Sequence, residues 1–227
     1  MAKDNQEEVI VDVEQAYSKS EQWIIENQKS LSIIAGVVLL LILSYFAYNN
    51  FYLMPQEEEA REMMWPAEKA FGEDSLQLAL NGNAGAYGFL DIIDEYGMTQ
   101  SANLAHYYAG VCYLRSGDYE SAIEYLEDFD CNDVMICAVA LGATGDAYME
   151  LGQVDRAIGY YNNAVEHNDN NLTAPIYLMK VGRAYEEVGD LEDALNAYKE
   201  IKAQYPTSSE GSGIDKFIAR VEGKIAG

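Results

Sequence analysis

One pattern in this chain recurs three times and leaves the fold little freedom. Gly110-x-x-Tyr113-x-x-x-Gly117-Asp118-Tyr119-x-x-Ala122-Ile123 returns as Gly145-x-x-Tyr148-x-x-x-Gly152-Gln153-Val154-x-x-Ala157-Ile158. It returns again as Gly182-x-x-Tyr185-x-x-x-Gly189-Asp190-Leu191-x-x-Ala194-Leu195. The copies are offset by 35 and 37 residues, a period at which each repeat is one supersecondary unit that buries its apolar face only by stacking on neighbours. Each copy reads as two helices and a tight turn. A glycine inside a helix costs about 1 kcal/mol against alanine, so the first glycine implies a close helix crossing, with the later alanine on the other side. The second glycine falls where the first helix must end in a left-handed residue. The tyrosine is expected to fill the space between the helices.

This frame resembles the tetratricopeptide repeat, and Pro206 stands at the proline position that closes the third copy. The resemblance implies an all-α fold with repeats at about 103–136, 138–171 and 175–208. The tryptophan usual at the first position is replaced by His106, Leu141 and Leu178, so His106 is expected to face the core. Residues 56–100 read as a degenerate helical pair. Its first helix runs Gln56–Leu80, broken or kinked near Pro66 and Gly72. Its turn is Asn81-Gly82-Asn83, and its second helix runs Ala84–Tyr96 with Phe89, Ile92, Ile93 and Tyr96 at helical spacing. Residues 212–225 read as a capping helix with Ile214, Phe217, Ile218 and Val221 inward, since repeat arrays need atypical ends to stay soluble.

Upstream lies a segment of different character. No charged residue occurs from Ser30 to Gln56, and Leu31–Tyr48 is almost wholly apolar. Roughly 20 such residues cross a hydrocarbon core of about 30 Å. Lys29 closes one end and Glu57–Glu59 the other, with Trp23 before the run and Tyr45, Phe46, Tyr48, Phe51 and Tyr52 at its far end, as at a membrane interface. A cleaved signal peptide needs a short basic start and small residues at the cut. Here a net-acidic stretch precedes the run and bulky aromatics follow it, and no cysteine is near enough to carry a lipid anchor. The expected division is therefore a cytoplasmic tail at 1–29, a transmembrane helix at 30–54 and the repeat domain at 55–227. Lys19 and Lys29 flank the span more closely than Arg61 and Lys69 do, which favours a cytoplasmic N-terminus. Ser32 and Gly36 form a small-xxx-small pair able to seat a neighbouring membrane helix.

The chain carries 38 acidic and 14 basic residues, a formal net charge of −24. Such a domain is repelled by phosphate backbones and by anionic headgroups, which argues against nucleic-acid binding. Cys112, Cys131 and Cys137 are odd in number and lack CxxC spacing, and read as small buried hydrophobes. No P-loop, GxSxG, HExxH or dinucleotide fingerprint is present, and His106 and His167 have no metal-ligand spacing to the cysteines. No catalysis, cofactor, metal or small-molecule substrate is expected.

Protein binding remains. Repeat arrays bind along a concave face lined by the first helix of each pair, and the tetratricopeptide pattern assigns that face residue by residue. It gives Tyr107, Val111, Leu114 and Arg115 in the first repeat, Asp146, Met149 and Glu150 in the second, and Met179, Arg183, Glu186 and Glu187 in the third. Some proteins of that pattern hold C-terminal carboxylates with lysines and asparagines there. Tyr107, Val111, Asp146 and Glu150 occupy those positions here, so that clamp is absent.

The N-terminal third adds a second likeness. Trp23-Ile24-Ile25-Glu26-Asn27-Gln28-Lys29, the apolar run with Gly36, and then Tyr45 and Tyr48-Asn49 resemble the start of the YfgM-like family, with Gln28 in place of that family's glycine. Members are single-span ancillary subunits of the bacterial Sec translocon. The resemblance implies a bacterial inner-membrane protein with its C-terminal domain in the periplasm. The partners it implies are translocon channel subunits, a membrane-anchored chaperone or secreted clients. Two other readings stay open: a cytosol-facing docking receptor, and an envelope-assembly or cell-division scaffold without translocon contact.

Overall fold

The structure, a computed structural model, describes residues 23–131, 133–167 and 169–227. Residues 1–22 of the expected cytoplasmic tail lie outside the described residues. Two units are distinguished, Met1–Pro55 and Gln56–Gly227.

In the first unit, helix α1 spans Gln28–Tyr48 and is followed by a π-helical turn, Asn49–Leu53. None of the 21 residues of α1 is buried. A helix that is apolar all round has no face to lay on a protein surface. By length and composition it is long and apolar enough to cross a membrane. Tyr48 and Tyr52 stack at its far end with ring centroids 5.3 Å apart.

The second unit is all-helical, with no strand among its described residues. Its N-terminal part is α2 (Met54–Gly72), of which the residues from Gln56 on belong to this unit, with α3 (Leu76–Asn81) and α4 (Phe89–Tyr96). α2 runs through Pro66 and stops at Gly72. The break between α2 and α3 places Asp74 in the left-handed region at φ 60°. The second helix of this pair starts at Phe89, five residues later than the pattern of apolar residues suggests. Residues 82–88 form a closed turn instead, with the Asn83 N–H donating to the Ala86 carbonyl at 2.8 Å. Gly88 is then pressed onto the preceding helix: a β-carbon there would lie 2.2 Å from the Leu80 carbonyl oxygen. Its N–H is capped by the Asp91 carboxylate at 2.9 Å.

These helices share one core. Ala60, Met64, Ala67 and Ala70 of α2 pack with Leu80, Phe89, Ile92 and Tyr96, and with Ala102, Ala105 and Ala109 of the next helix. Phe89 and Tyr108 stack at 5.0 Å, with Phe71 edge-on to both. The Glu57 carboxylate accepts the Gln100 N–H at 2.6 Å and the Ser101 hydroxyl at 2.7 Å. It thereby satisfies donors that the next helix leaves open at its N-terminus.

Three helical pairs follow: α5 (Gln100–Ser116) with α6 (Tyr119–Glu127), α7 (Val134–Glu150) with α8 (Val154–His167), and α9 (Ala174–Val188) with α10 (Leu191–Gln204). The turns match the sequence reading. Gly117, Gly152 and Gly189 have φ of 84°, 69° and 89°. The N–H after each of them donates back to the carbonyl of Tyr113, Tyr148 or Tyr185, closing the six-residue bond of a Schellman turn. The repeat tyrosine thus fills space with its ring and terminates its helix with its carbonyl. Ala122, Ala157 and Ala194 are fully buried, while the crossing glycines Gly110, Gly145 and Gly182 meet Leu126, Tyr161 and Tyr198, one turn further along the second helices.

The array ends in a short 3-10 turn, Gly211–Gly213, and the capping helix α11, Asp215–Ala226. Ile214, Ile218 and Val221 are buried against Tyr198, Ile201 and Tyr205, with Phe217 half-buried beside them. This agrees with the inward face read from the sequence.

Candidate protein-interaction surface

The residues assigned to the binding face separate into three groups. The first is apolar. Tyr107, Val111, Leu114 and Met149 are half-buried rather than open. Tyr107 leans on Phe129 with centroids 5.6 Å apart, and Met149 packs into the core of the middle repeat. Burial raises the Tyr107 hydroxyl above its ordinary pKa of 10.0. Met179 goes further and is a core residue at 7% exposure. The open apolar side chains of the first helices are instead Met135 and Val139 on α7 and Ile176 and Val188 on α9.

The second group is charged but already engaged. Arg115 pairs with Asp74 at 2.5 Å and lies over the Phe71 ring. Asp146 joins three helices: it accepts the Tyr161 hydroxyl of α8 at 2.7 Å and both oxygens take the Lys180 ammonium of α9, at 2.6 and 2.7 Å. Glu186 is held by Arg220, by Lys224 at 2.9 Å and by the Tyr198 hydroxyl at 2.8 Å. Burial alone would raise the Glu186 pKa; the bonds from Lys224, Tyr198 and Arg220 outweigh it and hold the carboxyl below its ordinary value of 4.5. Glu186 therefore clamps the capping helix onto the last repeat. The third group is open: Arg183, Glu150 and Glu187 are exposed.

His106 is half-buried against Tyr125, centroids 5.8 Å apart, with Nδ1 enclosed and unpartnered among the described residues. Burial lowers its pKa against the opposing pull of Asp128, as suits a residue in a packing position. Ser32 and Gly36 are exposed on α1, and nothing lies within 4 Å of a β-carbon placed on Gly36.

The cysteines depart from the sequence reading. Cys131 and Cys137 are joined by a disulfide, and Cys112 alone is a free, buried thiol, its pKa raised by burial to about 11. Their two Cα atoms lie 5.5 Å apart, a separation the spacing in sequence does not reveal. The bridge lines a cavity of about 460 Å³ at the junction of the first and second repeats, with Leu126, Phe129, Leu141 and Tyr160. A second cavity, of about 320 Å³, lies at the C-terminal end among Ile176, Lys180, Arg183, Glu210, Lys216 and Phe217. Lys180, Lys216 and Phe217 were not legible as site residues, because they come together only when the capping helix docks.

Residues 90–130 and 143–209 match the tetratricopeptide repeat; these segments are tetratricopeptide repeats. No curated protein matches the chain in sequence. Among solved structures, the chain is similar to the MamA protein, with a TM-score of 0.55 and 19% identity over 74% of this chain and 90% of that one. A second MamA structure gives 0.52 and 18% over 70% and 96%. A putative kinesin light chain with nearly identical TPR-like repeats from Podosopora anserina gives 0.50 and 16% over 77% and 86%. At these identities the likeness is one of fold: a tetratricopeptide-type superhelix. Such a fold is a scaffold for protein–protein interaction, and proteins built on it are typically not enzymes.

Proposed function

We propose that this chain is a single-pass protein of a bacterial inner membrane that holds a protein-binding repeat array in the periplasm, as an ancillary subunit of the Sec translocon. The observation that carries the reading is α1: a helix of membrane-spanning length, apolar all round, has no buried residue. The disulfide between Cys131 and Cys137 supports an oxidising compartment for the array and disfavours a cytosol-facing receptor, since such bonds are rare in the cytosol. The open apolar side chains Met135, Val139 and Ile176 on successive first helices suit adaptable contacts with partner proteins. The YfgM-like segment from Trp23 to Asn49 supplies the translocon assignment.

A reporter active only outside the cytoplasm, fused after Gly227, should be active, and crosslinking in the membrane followed by mild-detergent purification should recover translocon channel subunits. Activity of a cytoplasmic reporter alone at that position would overturn the topology. Correct topology with envelope-assembly proteins and no channel subunit among the crosslinks would overturn the translocon assignment and leave a scaffold of another assembly.

A further inference from the structure

The repeat domain is strongly acidic, yet its C-terminal end gathers cations around one ring. Arg183 of α9 lies 5.7 Å from the centroid of Phe217, and Lys216 and Arg220 of α11 each lie 4.9 Å from it. Two of the nearby cations are neutralised: Arg220 by Glu186, and Lys180 by Asp146 at 2.6 Å. Arg183 and Lys216 have no carboxylate partner among the described residues. Both are exposed, and both border the cavity of about 320 Å³. Ile176 and Met179 give it an apolar wall, and Glu210 is the one carboxylate on its lining.

From this arrangement we infer that the cavity between α9, the 206–213 loop and the capping helix is a docking site for an acidic segment of a partner protein, one in which a carboxylate adjoins an apolar side chain. The carboxylate lies between Arg183 and Lys216, which Phe217 holds apart by cation–π contact with each. The neighbouring apolar side chain covers Ile176 and the open edge of Met179. Charge complementarity selects the occupant. In a chain of net charge −24 most of the surface repels an acidic peptide, so two free cations beside an apolar wall form a local attractive point. α9, the 206–213 loop and α11 build this site, so it is separate from Tyr107, Val111, Asp146 and Glu150 in the first two repeats, where the carboxylate clamp is missing. The inference rests on the array being a protein-binding scaffold, but its test does not depend on topology or on the translocon.

The test uses the full chain in neutral detergent and a fluorescein-labelled peptide of alternating Asp and Leu, with binding read by anisotropy. Saturable binding is expected, weakening steeply as salt rises and the Debye length falls from about 10 Å at 0.1 M to about 3 Å at 1 M. The counterpart peptide of alternating Asn and Leu should bind at least about tenfold more weakly. Arg183→Glu with Lys216→Glu should weaken the acidic peptide by about tenfold or more, and Arg183→Gln with Lys216→Gln by less, with helical circular dichroism unchanged. Arg61→Glu with Lys69→Glu, the same charge change at exposed sites on α2, should leave binding as it was. The inference is overturned if the acidic peptide does not bind, if the amide peptide binds equally, or if the Arg183 and Lys216 variants bind like the parent. It is also overturned if short-chain phosphatidylglycerol, below its micelle concentration, is held by these residues and the peptide is not. Failure here, with translocon crosslinks still recovered, removes the pocket and spares the scaffold.

Discussion

The ring of Tyr161 occupies the space a side chain on Gly145 would need: a β-carbon there would lie 2.5 Å from Cε1. One turn earlier on α7, Gly142 stands in the same relation to Tyr177, at 2.0 Å from Cε1. The two rings stack with centroids 6.5 Å apart, so α7 seats one tyrosine from α8 and one from α9 on a single glycine face. Burial, aided by the Asp146 charge, pushes the Tyr177 hydroxyl up to about 12.

Gly145→Ala should therefore destabilise the array, although alanine is the better helix former by about 1 kcal/mol. The methyl forces Tyr161 outward, an overpacking loss of about 1–3 kcal/mol. Gly159→Ala, where a β-carbon meets nothing within 4 Å, should stabilise the array slightly. Thermal melts of the full chain monitored by circular dichroism compare the two. A Gly145→Ala melt at or above the parental temperature would refute the crossing.

The Cys131–Cys137 bridge closes a short loop, for which chain entropy gives about 2 kcal/mol. Replacing both cysteines with serine should lower the melting temperature by about 5 °C. Reductant should lower the parent similarly and leave the double variant unmoved. Thiol labelling of the denatured, unreduced chain should detect Cys112 alone. Three labelled thiols in the purified, unreduced chain would show that the bridge does not form.

Glu186 should make the capping helix sensitive to acid. Its folded pKa is below the ordinary 4.5, so its contribution is fully present above 4.5 and is lost as pH falls through the folded value. Glu186→Gln should lower stability at neutral pH by about 1–2 kcal/mol, because Arg220 and Lys224 are half-exposed and solvent screens their loss. The difference between parent and variant should shrink as pH falls below the ordinary carboxyl value of 4.5. A constant difference from pH 7 to pH 3 would mean that the carboxylate charge is not what holds α11.

On the proposed membrane topology, Ser32→Leu with Gly36→Leu should leave insertion of α1 intact and fill the small-residue face at these two positions. Membrane fractionation should be unchanged, while crosslinking of α1 to other membrane proteins should fall. Unaltered crosslinking would make α1 a tether only.

The fold was legible in the sequence where a requirement is local. A left-handed turn needs glycine, which marked Gly117, Gly152 and Gly189. A helix crossing needs a small residue, which marked Gly110, Gly145, Gly182 and the buried alanines. The inward stripe of the capping helix followed from helical periodicity, and the uncharged run before Glu57 marked α1. Other features depend on which distant residues meet, and the tertiary structure decided them. Gly142 is one, because its partner Tyr177 lies on a helix of the next repeat. Residues 82–88 leave the helical pattern because Gly88 packs on the Leu80 carbonyl. Cys131 meets Cys137 across six residues of chain, a pairing their spacing does not encode. Met179 and Glu186 fall on the expected binding face by repeat position, yet the docked capping helix lies against both and turns them inward. The same docking brings Lys216 and Phe217 to Arg183. Repeat position fixes where a side chain starts on its own helix; what it faces depends on elements packed from elsewhere in the chain.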